Sequence, residues 1–264
     1  MRKTYKFRIY PNKPQQKQME RSLEICRQVY NRTLGERKTA YEERGETLSK
    51  YTLNKLLPEW KKEIPEYKEV FSQTLQEVQE RVDLAFKHFF RRVRNGEKPG
   101  YPRFKGKGWY DSFTYPQMGF KLEDNILYLS KIGNVRVKVH REIEGDIKRI
   151  IVRRSACKKW YVSLTTECED IEISERNIEH VVGIDVGLSS FATLSDGTSI
   201  SSPRFFRQEE KELTKAQRKL SKVAKGFPER KKAIRVVQRV HERIANKRYD
   251  FIHQLSRRLF LHCI

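Results

Sequence analysis

The spacing of apolar residues changes at Asn95, and this change constrains the fold more than any other feature of the chain. Before it, apolar residues recur every three or four positions over residues 15–43, 52–62 and 72–94. This period predicts three amphipathic helices. Glycines and prolines then interrupt the helical pattern, and short apolar–polar alternations over residues 112–168 predict a series of strands.

The strands after this break predict a small antiparallel barrel or sandwich. Residues 3–10 alternate in the same way, so we expect them to join that sheet, with the helices of residues 15–94 inserted between. A turn at Ser155–Lys159 is predicted to join the last two strands. The clearest strands are Ile126–Leu129, Val135–Val139, Ile147–Val152 and Trp160–Thr165.

A second unit is predicted after the polar, acidic stretch Glu169–His180, which we interpret as a linker. The apolar run Val181–Val186 predicts a buried strand, and Phe191–Leu194 predicts a second strand. A turn at Ser195–Gly197 leads into a third strand. The rest of the chain is predicted to be helical, with one break at Gly226–Pro228.

The charge of the chain indicates a polyanionic partner. Its 56 Lys and Arg exceed its 34 Asp and Glu, for a formal charge of +22, and basic residues release counterions when they neutralise phosphates. Residues 207–262 hold 17 basic and 6 acidic residues. One such helix is usually a solvated charged face, but two in succession favour a phosphate-contacting surface. The candidates there are Arg218, Lys219, Lys222, Arg235, Arg239, Arg243, Lys247 and Arg248.

Residues 96–115 interleave basic and aromatic side chains with glycines and prolines. Basic side chains neutralise phosphates, exposed aromatic rings stack on bases, and glycines let the backbone approach a ligand. The alternative is a loop whose aromatic side chains pack into the barrel, as some of them must. We predict a nucleic-acid contact in this loop. Its candidate residues are Lys98, Tyr101, Arg103, Phe104, Lys105 and Lys107, preceded by Arg91 and Arg92 at the end of the third helix.

Asp185 is the strongest candidate for a catalytic or metal-binding residue, because it interrupts an apolar run and precedes Val186 and Gly187. A carboxylate in a buried strand is costly unless it is paired or binds a metal. In RNase H-like nucleases an aspartate at such a position holds Mg²⁺ for phosphodiester cleavage. In actin-like ATPases a similar strand and turn contact nucleotide phosphate. The third interpretation is an aspartate that caps the turn at Gly187.

Two-metal hydrolysis needs several converging carboxylates, and the sequence offers Asp185 few partners. Asp196 lies in a predicted hairpin turn and is expected to face solvent. The other acidic residues downstream lie in the basic helices and are interpreted as surface charges. They are Glu209, Glu210, Glu212, Glu229, Glu242 and Asp250.

The cysteines and histidines carry no metal signature. Cys26, Cys157, Cys168 and Cys263 include no CxxC pair, so no zinc ribbon is predicted, and we interpret them as reduced thiols of a cytoplasmic protein. No histidine has a partner at ligand spacing. No apolar run approaches the ~20 residues of a membrane span, and the alternating N-terminus differs from a signal peptide.

Taken together, these motifs resemble the TnpB (OrfB) family of transposon-encoded, RNA-guided DNA nucleases. The resemblance covers essentially the whole chain, and the combination and order of the motifs are specific. The matching segments are Tyr5–Pro11, Arg27–Asn31, Ser72–Phe86, Gly96–Lys105, Ser112–Phe113, Gly183–Gly187, Arg218–Leu220 and Lys247–Asp250.

The resemblance implies an α+β multidomain fold. Residues 1–10 and 95–168 would form a wedge-like antiparallel β-barrel, residues 11–94 an inserted helical recognition lobe, and residues 178–264 a partial RuvC (RNase H-like) domain. It further implies a guide RNA made from the transposon end, double-stranded target DNA beside a short motif, and cleavage with Mg²⁺ held by Asp185.

The RuvC site of the family has three acidic residues, and Asp185 matches the first of them. The other two acidic residues and a four-cysteine zinc ribbon have no match in this sequence, so the resemblance implies that cleavage is lost or incomplete here. The sequence is compatible with two other functions. One is an RNA-guided repressor that binds DNA without cutting it, and the other is an unguided basic protein that binds nucleic acid.

Overall fold

A computed structural model of the chain describes residues 1–169 and 181–262, in two units, Met1–Ile171 and Glu172–Ile264. The predicted linker at residues 169–180 lies almost wholly outside the described residues. Each unit has its own antiparallel sheet. Within the described ranges no helix combines the length and the apolar character needed to span a membrane.

The N-terminal strand lies in the middle of the sheet of the first unit, as predicted. Tyr5, Phe7 and Ile9 face the core, and alternate residues face outward, because successive side chains of a strand point to opposite faces. The strands are β1 (Arg2–Tyr10), β2 (Ser112–Tyr115), β3 (Phe120–Glu123), β4 (Ile126–Leu129), β5 (Gly133–Lys138), β6 (Asp146–Arg154) and β7 (Trp160–Glu167). Their order is β2-β6-β7-β1-β5-β4-β3, so β1 pairs with strands more than 120 residues away in sequence.

The sheet is nearly closed into a barrel. The hydroxyl of Tyr115, on the edge strand β2, donates a hydrogen bond of 2.8 Å to the carbonyl of Ser130. The amide of Ser130 in turn donates to the carbonyl of Gly119, just before the opposite edge strand β3. The predicted turn at Ser155–Lys159 is confirmed, because the Ser155 amide donates to the Lys159 carbonyl at 2.7 Å and the Ser155 hydroxyl accepts from the Lys159 amide at 3.1 Å. The predicted strands are also confirmed, and β2 and β3 complete the two edges.

The three predicted helices are confirmed as α1 (Lys13–Arg44), α2 (Lys50–Glu63) and α3 (Ser72–Arg94), with a 3₁₀ turn at Pro65–Glu69. Asn12 begins α1 through a capping box, in which its side chain accepts from the amide of Gln15 and the Gln15 side chain accepts from the amide of Asn12. Gly45 ends α1 in the left-handed conformation, at φ 66°.

The helices and the sheet of the first unit share one hydrophobic core. Arg81 on α3 fastens the helix to β2, because its guanidinium donates to the Ser112 carbonyl at 2.9 Å and to the Thr114 hydroxyl at 2.8 Å. The division into a barrel at residues 1–10 and 95–168 and a lobe at residues 11–94 therefore lies inside one packed unit, and it stays a prediction.

The second unit places two long helices beside a three-stranded sheet. Its elements are β8 (Ile184–Asp185), β9 (Ser190–Leu194), β10 (Ser199–Ser201), α4 (Phe205–Ser221) and α5 (Pro228–His262), with strand order β10-β9-β8. Leu255 of α5 packs on Ala192 and Ile200 of the sheet. Leu213 of α4 packs on Val240 and Ile244 of α5, so α5 joins both parts of the unit.

The prediction of a buried strand at Val181–Val186 is wrong. The strand spans only Ile184 and Asp185, and both side chains are exposed. The physical reason is its position, because β8 is an edge strand that pairs only with β9 among the described residues. An apolar run indicates burial only when another element covers it.

Candidate nucleic-acid interface and carboxylate site

The basic and aromatic loop is attached to α1 through one asparagine. The side-chain oxygen of Asn31 accepts a hydrogen bond of 2.7 Å from the amide of Lys105, and its nitrogen donates to the Lys105 carbonyl at 3.0 Å. One amide side chain thus satisfies both polar groups of one loop residue, as a neighbouring strand would. The position of the loop is therefore set by α1.

An ion pair on α1 supports the same point of the loop. Arg27 donates to the Lys105 carbonyl at 3.0 Å and to both carboxylate oxygens of Glu24, at 2.6 and 3.0 Å. Hydrogen bonding from Arg27 lowers the pKa of Glu24, so the pair stays charged at neutral pH. Because Glu24 holds the guanidinium, Arg27 presents a fixed donor to the loop.

We expect Asn31→Ala to loosen the loop at Lys105, where Arg27 would remain as a partner of the carbonyl. The loss of two hydrogen bonds should lower the free energy of unfolding by about 1–2 kcal/mol, and the Lys105 amide should exchange its hydrogen faster. Hydrogen exchange followed by mass spectrometry would measure the second effect. Asn31→Asp is the matched control, because it keeps the acceptor for the amide but loses the donor. Unchanged exchange in Asn31→Ala would show that the loop is held elsewhere.

The aromatic side chains of the loop divide between core and surface. Tyr110 and Phe113 are buried, and burial raises the pKa of Tyr110. Trp109 and Phe104 remain 81% and 56% exposed, and Tyr101 is also exposed. Both interpretations of the loop therefore apply to different residues, and the exposed rings are the ones available for stacking on bases.

The basic candidates of the first unit surround these exposed rings in sequence and lie at the surface. All of them are exposed except Lys105, which is half-buried with its ammonium 5.6 Å from the centroid of the Tyr30 ring. Arg92 lies 4.0 Å from Glu97. The exposed candidates are Arg91, Arg92, Lys98, Arg103 and Lys107.

The basic residues of α4 project from the side of the helix away from α5. Leu213 and Ala216 face the protein interior, and the opposite face carries basic residues at a spacing of three or four positions. The candidates predicted there were Arg218, Lys219 and Lys222. Lys211 and Lys215 were not among them, although their helical spacing with Arg218 and Lys222 was a usable signal in the sequence. The basic residues of this face are Lys211, Lys215, Arg218, Lys219 and Lys222, with Arg207 at one end.

The interpretation of Glu209 as an ordinary surface charge is wrong. Glu209 is buried and binds two candidate basic residues, Lys247 at 2.6 Å and Arg243 at 3.0 Å. Arg243 also donates to Glu212 at 2.6 Å. Hydrogen bonding from Lys247, and the charges of Lys247 and Arg243, lower the pKa of Glu209. The helical spacing in the sequence could have indicated this burial, because Glu209 lies one turn before Leu213 on the packed face of α4.

The other six of the eight basic candidates of the second unit all have exposed side chains. In the parts of the chain that the structure describes, none of these six side chains is ion-paired with a carboxylate. Arg235 and Arg239 project from the side of α5 opposite its buried Val240 and Ile244. The six are Arg218, Lys219, Lys222, Arg235, Arg239 and Arg248. These side chains are free to contact phosphates, whereas Arg243 and Lys247 neutralise buried charge.

Asp185 lies at the exposed end of β8, opposite Thr193 of β9. The strand pair is closed by Ser195, whose hydroxyl accepts from the Gly183 amide at 3.0 Å and whose own amide donates to the Gly183 carbonyl. These bonds fix the backbone before Asp185. The carboxylate is therefore presented to solvent from an ordered strand.

The described residues do not by themselves fit a two-metal site. Among residues 1–169 and 181–262, no group of three or more His, Cys, Asp or Glu side chains could hold a metal ion. Two divalent ions need several converging carboxylates, and Asp185 contributes one. Asp196, the next acidic residue after Asp185 in the sequence, bonds its own turn by accepting from the Thr198 amide at 2.8 Å.

Comparison with protein families places both ends of the chain in one family. The OrfB model of IS605-type elements, described as "Probable transposase", matches residues 163–264. A second OrfB model, described as "Helix-turn-helix domain", matches residues 1–46. In the structure the latter residues form β1 and the single long helix α1.

Two relatives match nearly the full chain. "Putative RNA-guided DNA endonuclease InsQ" of Escherichia coli (strain K12) is 35% identical over 96% of this chain and 62% of its own length. A "Putative RNA-guided DNA endonuclease" of Streptomyces pristinaespiralis is 35% identical over 98% and 64%. The chain thus spans less than two thirds of either relative. A solved CRISPR-Cas12f ternary complex matches 92% of this chain and 60% of its own chain at 14% identity and a TM-score of 0.34, which is too low to support a fold assignment.

Proposed function

Because this chain belongs to the TnpB (OrfB) family of insertion-sequence transposases, we propose that it is an RNA-guided DNA-binding protein. Its RNA partner would be a guide made from the end of its transposon, and its target would be double-stranded DNA beside a short motif. In such a system base pairing reads the sequence, and the protein binds the heteroduplex through its shape and backbone.

The observation that carries this proposal is the attached loop at residues 96–109. Its exposed basic and aromatic side chains offer both contacts that single strands and heteroduplexes use, charge for phosphates and rings for bases. Asn31 and Arg27 hold this loop in place. A loop that is ordered before binding loses less entropy when it binds. This order is expected of a nucleic-acid interface and is not needed in a flexible linker.

The second unit adds a phosphate-contacting surface and one carboxylate. We assign it as the first part of a RuvC domain, in which β8, β9 and β10 carry Asp185 and the exposed cations of α4 and α5 follow the DNA backbone. Mg²⁺, when bound to the complete site of the family, supplies the charge that stabilises phosphodiester cleavage. Asp185 would be one of its ligands.

Because no group of carboxylates around Asp185 could hold a metal ion among the described residues, we expect binding without efficient cutting by these 264 residues. We expect the chain, purified with RNA from its own locus, to shift labelled matching DNA on a native gel. On a denaturing gel with Mg²⁺ the same DNA should remain intact. The measurement compares both gels from one incubation, with a scrambled target as the specificity control.

Each outcome of this experiment separates two functions. A shift of matching DNA alone supports guided binding, whereas an equal shift of the scrambled target would indicate an unguided basic protein. Cut DNA would show that a nuclease site is completed, and Asp185→Ala should then abolish cutting while the shift remains. Cutting that survives Asp185→Ala would remove Asp185 from the site.

A further inference from the structure

A small pocket in the first unit, between the end of α1 and the end of α3, is walled by aromatic rings. We call it the aromatic pocket and define it by Tyr41, Glu46, Phe86, Phe89, Phe90 and Tyr101. Its volume is about 250 Å³, below the ~300–1,000 Å³ of pockets for drug-sized ligands. The pocket therefore suits one ring system rather than a larger molecule.

The rings of the aromatic pocket brace one another and still leave faces open. Phe89 contacts Phe90 and Tyr101 edge to face, with 5.2 and 5.4 Å between ring centroids. Tyr101 also contacts Phe86 edge to face, with 5.6 Å between ring centroids. Phe90 is nevertheless 52% exposed and Tyr41 66% exposed. Clustered exposed rings on a braced frame mark a binding site more often than scattered apolar residues do.

The charges inside the aromatic pocket exclude a phosphate as its occupant. Arg37 is buried beside the rings, but its guanidinium is paired with Asp83 at 2.9 Å and lies 4.5 Å from the centroid of Phe86. The carboxylate of Glu46, held by Arg44 at 3.2 Å, would repel a phosphate. An uncharged planar ring meets neither obstacle.

The charges outside the aromatic pocket favour a polyanion. The last turn of α3 continues from Phe90 into Arg91, Arg92 and Arg94, all exposed. A ligand with a planar uncharged ring and an adjoining negative charge is complementary to both regions. A nucleotide within a strand has this combination.

We propose that the aromatic pocket holds one unpaired base of a single-stranded nucleic acid, with the adjoining phosphates on Arg91 and Arg94. The proposal rests on the proposed function, because it assumes that the chain binds nucleic acid. The base stacks on the exposed rings of Phe90 and Tyr41. The Glu46 carboxylate accepts hydrogen bonds only, so it favours a base edge that donates, such as the amino group of cytosine.

The test uses the full chain and two matched strands. One is a short oligocytidine strand, prepared as RNA and as DNA, and the other is an abasic strand of equal length and charge. We expect Phe90→Ala to weaken binding of the oligocytidine about tenfold, the typical loss for one stacked base, and to leave the abasic strand unaffected. Fluorescence anisotropy measures both, and the RNA and DNA arms identify the natural source of the base.

Three further variants make the test decisive. Phe90→Tyr keeps the ring and should bind like the wild type, and Tyr41→Ala should reproduce the loss from the other wall. Arg94→Ala should weaken both strands equally. Equal weakening of both strands by Phe90→Ala, or no change in either, overturns the aromatic pocket and leaves the proposed function standing. Failure of the wild type to bind any strand overturns both.

Discussion

DNA binding by this chain should weaken about a thousandfold when the salt concentration rises from about 50 to about 200 mM. Six exposed cations of α4 and α5 are free of ion pairs among the described residues. Each phosphate contact contributes about −0.9 to the slope of log affinity against log salt, so six give about −5. Fluorescence anisotropy with a short duplex across this salt range measures the slope.

Two variants on the same helix test where this salt dependence originates. The double variant Arg235→Ala with Arg239→Ala should make the slope shallower by about 2. Arg243→Ala should change it little, because Arg243 is bound to Glu209 and Glu212. A flat salt response in the wild type would contradict the assignment of α4 and α5 as the contact surface. Equal effects of the two variants would contradict the role given to Glu209.

Asp83→Ala should lower the free energy of unfolding of the first unit by about 3 kcal/mol. Asp83 and Arg37 are each 8% exposed and join α3 to α1 through a 2.9 Å ion pair. Removing one partner leaves the other charge buried and uncompensated, which is the costly case. All three tryptophans, Trp60, Trp109 and Trp160, lie in this unit, so their fluorescence during urea denaturation reports its unfolding.

Lys87→Ala is the matched control for the buried pair. Lys87 also binds the Asp83 carboxylate, at 3.1 Å, but its side chain is exposed, so its removal should cost about 0.5 kcal/mol or less. A loss as large as that of Asp83→Ala would show that burial does not decide the energy of these pairs.

The same carboxylate predicts a pH dependence. Burial would raise the pKa of Asp83, but hydrogen bonds from Lys87 and Arg37 outweigh it, and the pKa is lowered. The stabilisation is therefore complete above the unfolded value of about 3.9 and is lost as the pH falls through the lower folded pKa. Asp83→Asn should lack this loss, which urea denaturation at several acidic pH values would measure.

The spacing of apolar residues predicted the helices and strands of the first unit, because the apolar face of each element is also the face that the core covers. The helical spacing of apolar residues up to Asn95 and the alternation at Tyr5, Phe7 and Ile9 each match a face that the core covers. The same reasoning was wrong at Val181–Val186, because an edge strand without a covering layer leaves apolar side chains exposed. Periodicity reports a face suited to burial, and only packing decides whether it is buried.

The sequence by itself determined the family, the helices and strands, the basic character and the identity of Asp185 as the candidate carboxylate. All of these follow from local order along the chain. Only the tertiary structure decided which charges of the second unit are available, because Glu209 pairs with Arg243 and Lys247, which are more than 30 residues away in sequence. It set Glu209 against Arg243 and Lys247, joined Asn31 to Lys105, and gathered Tyr41, Phe90 and Tyr101 around one pocket.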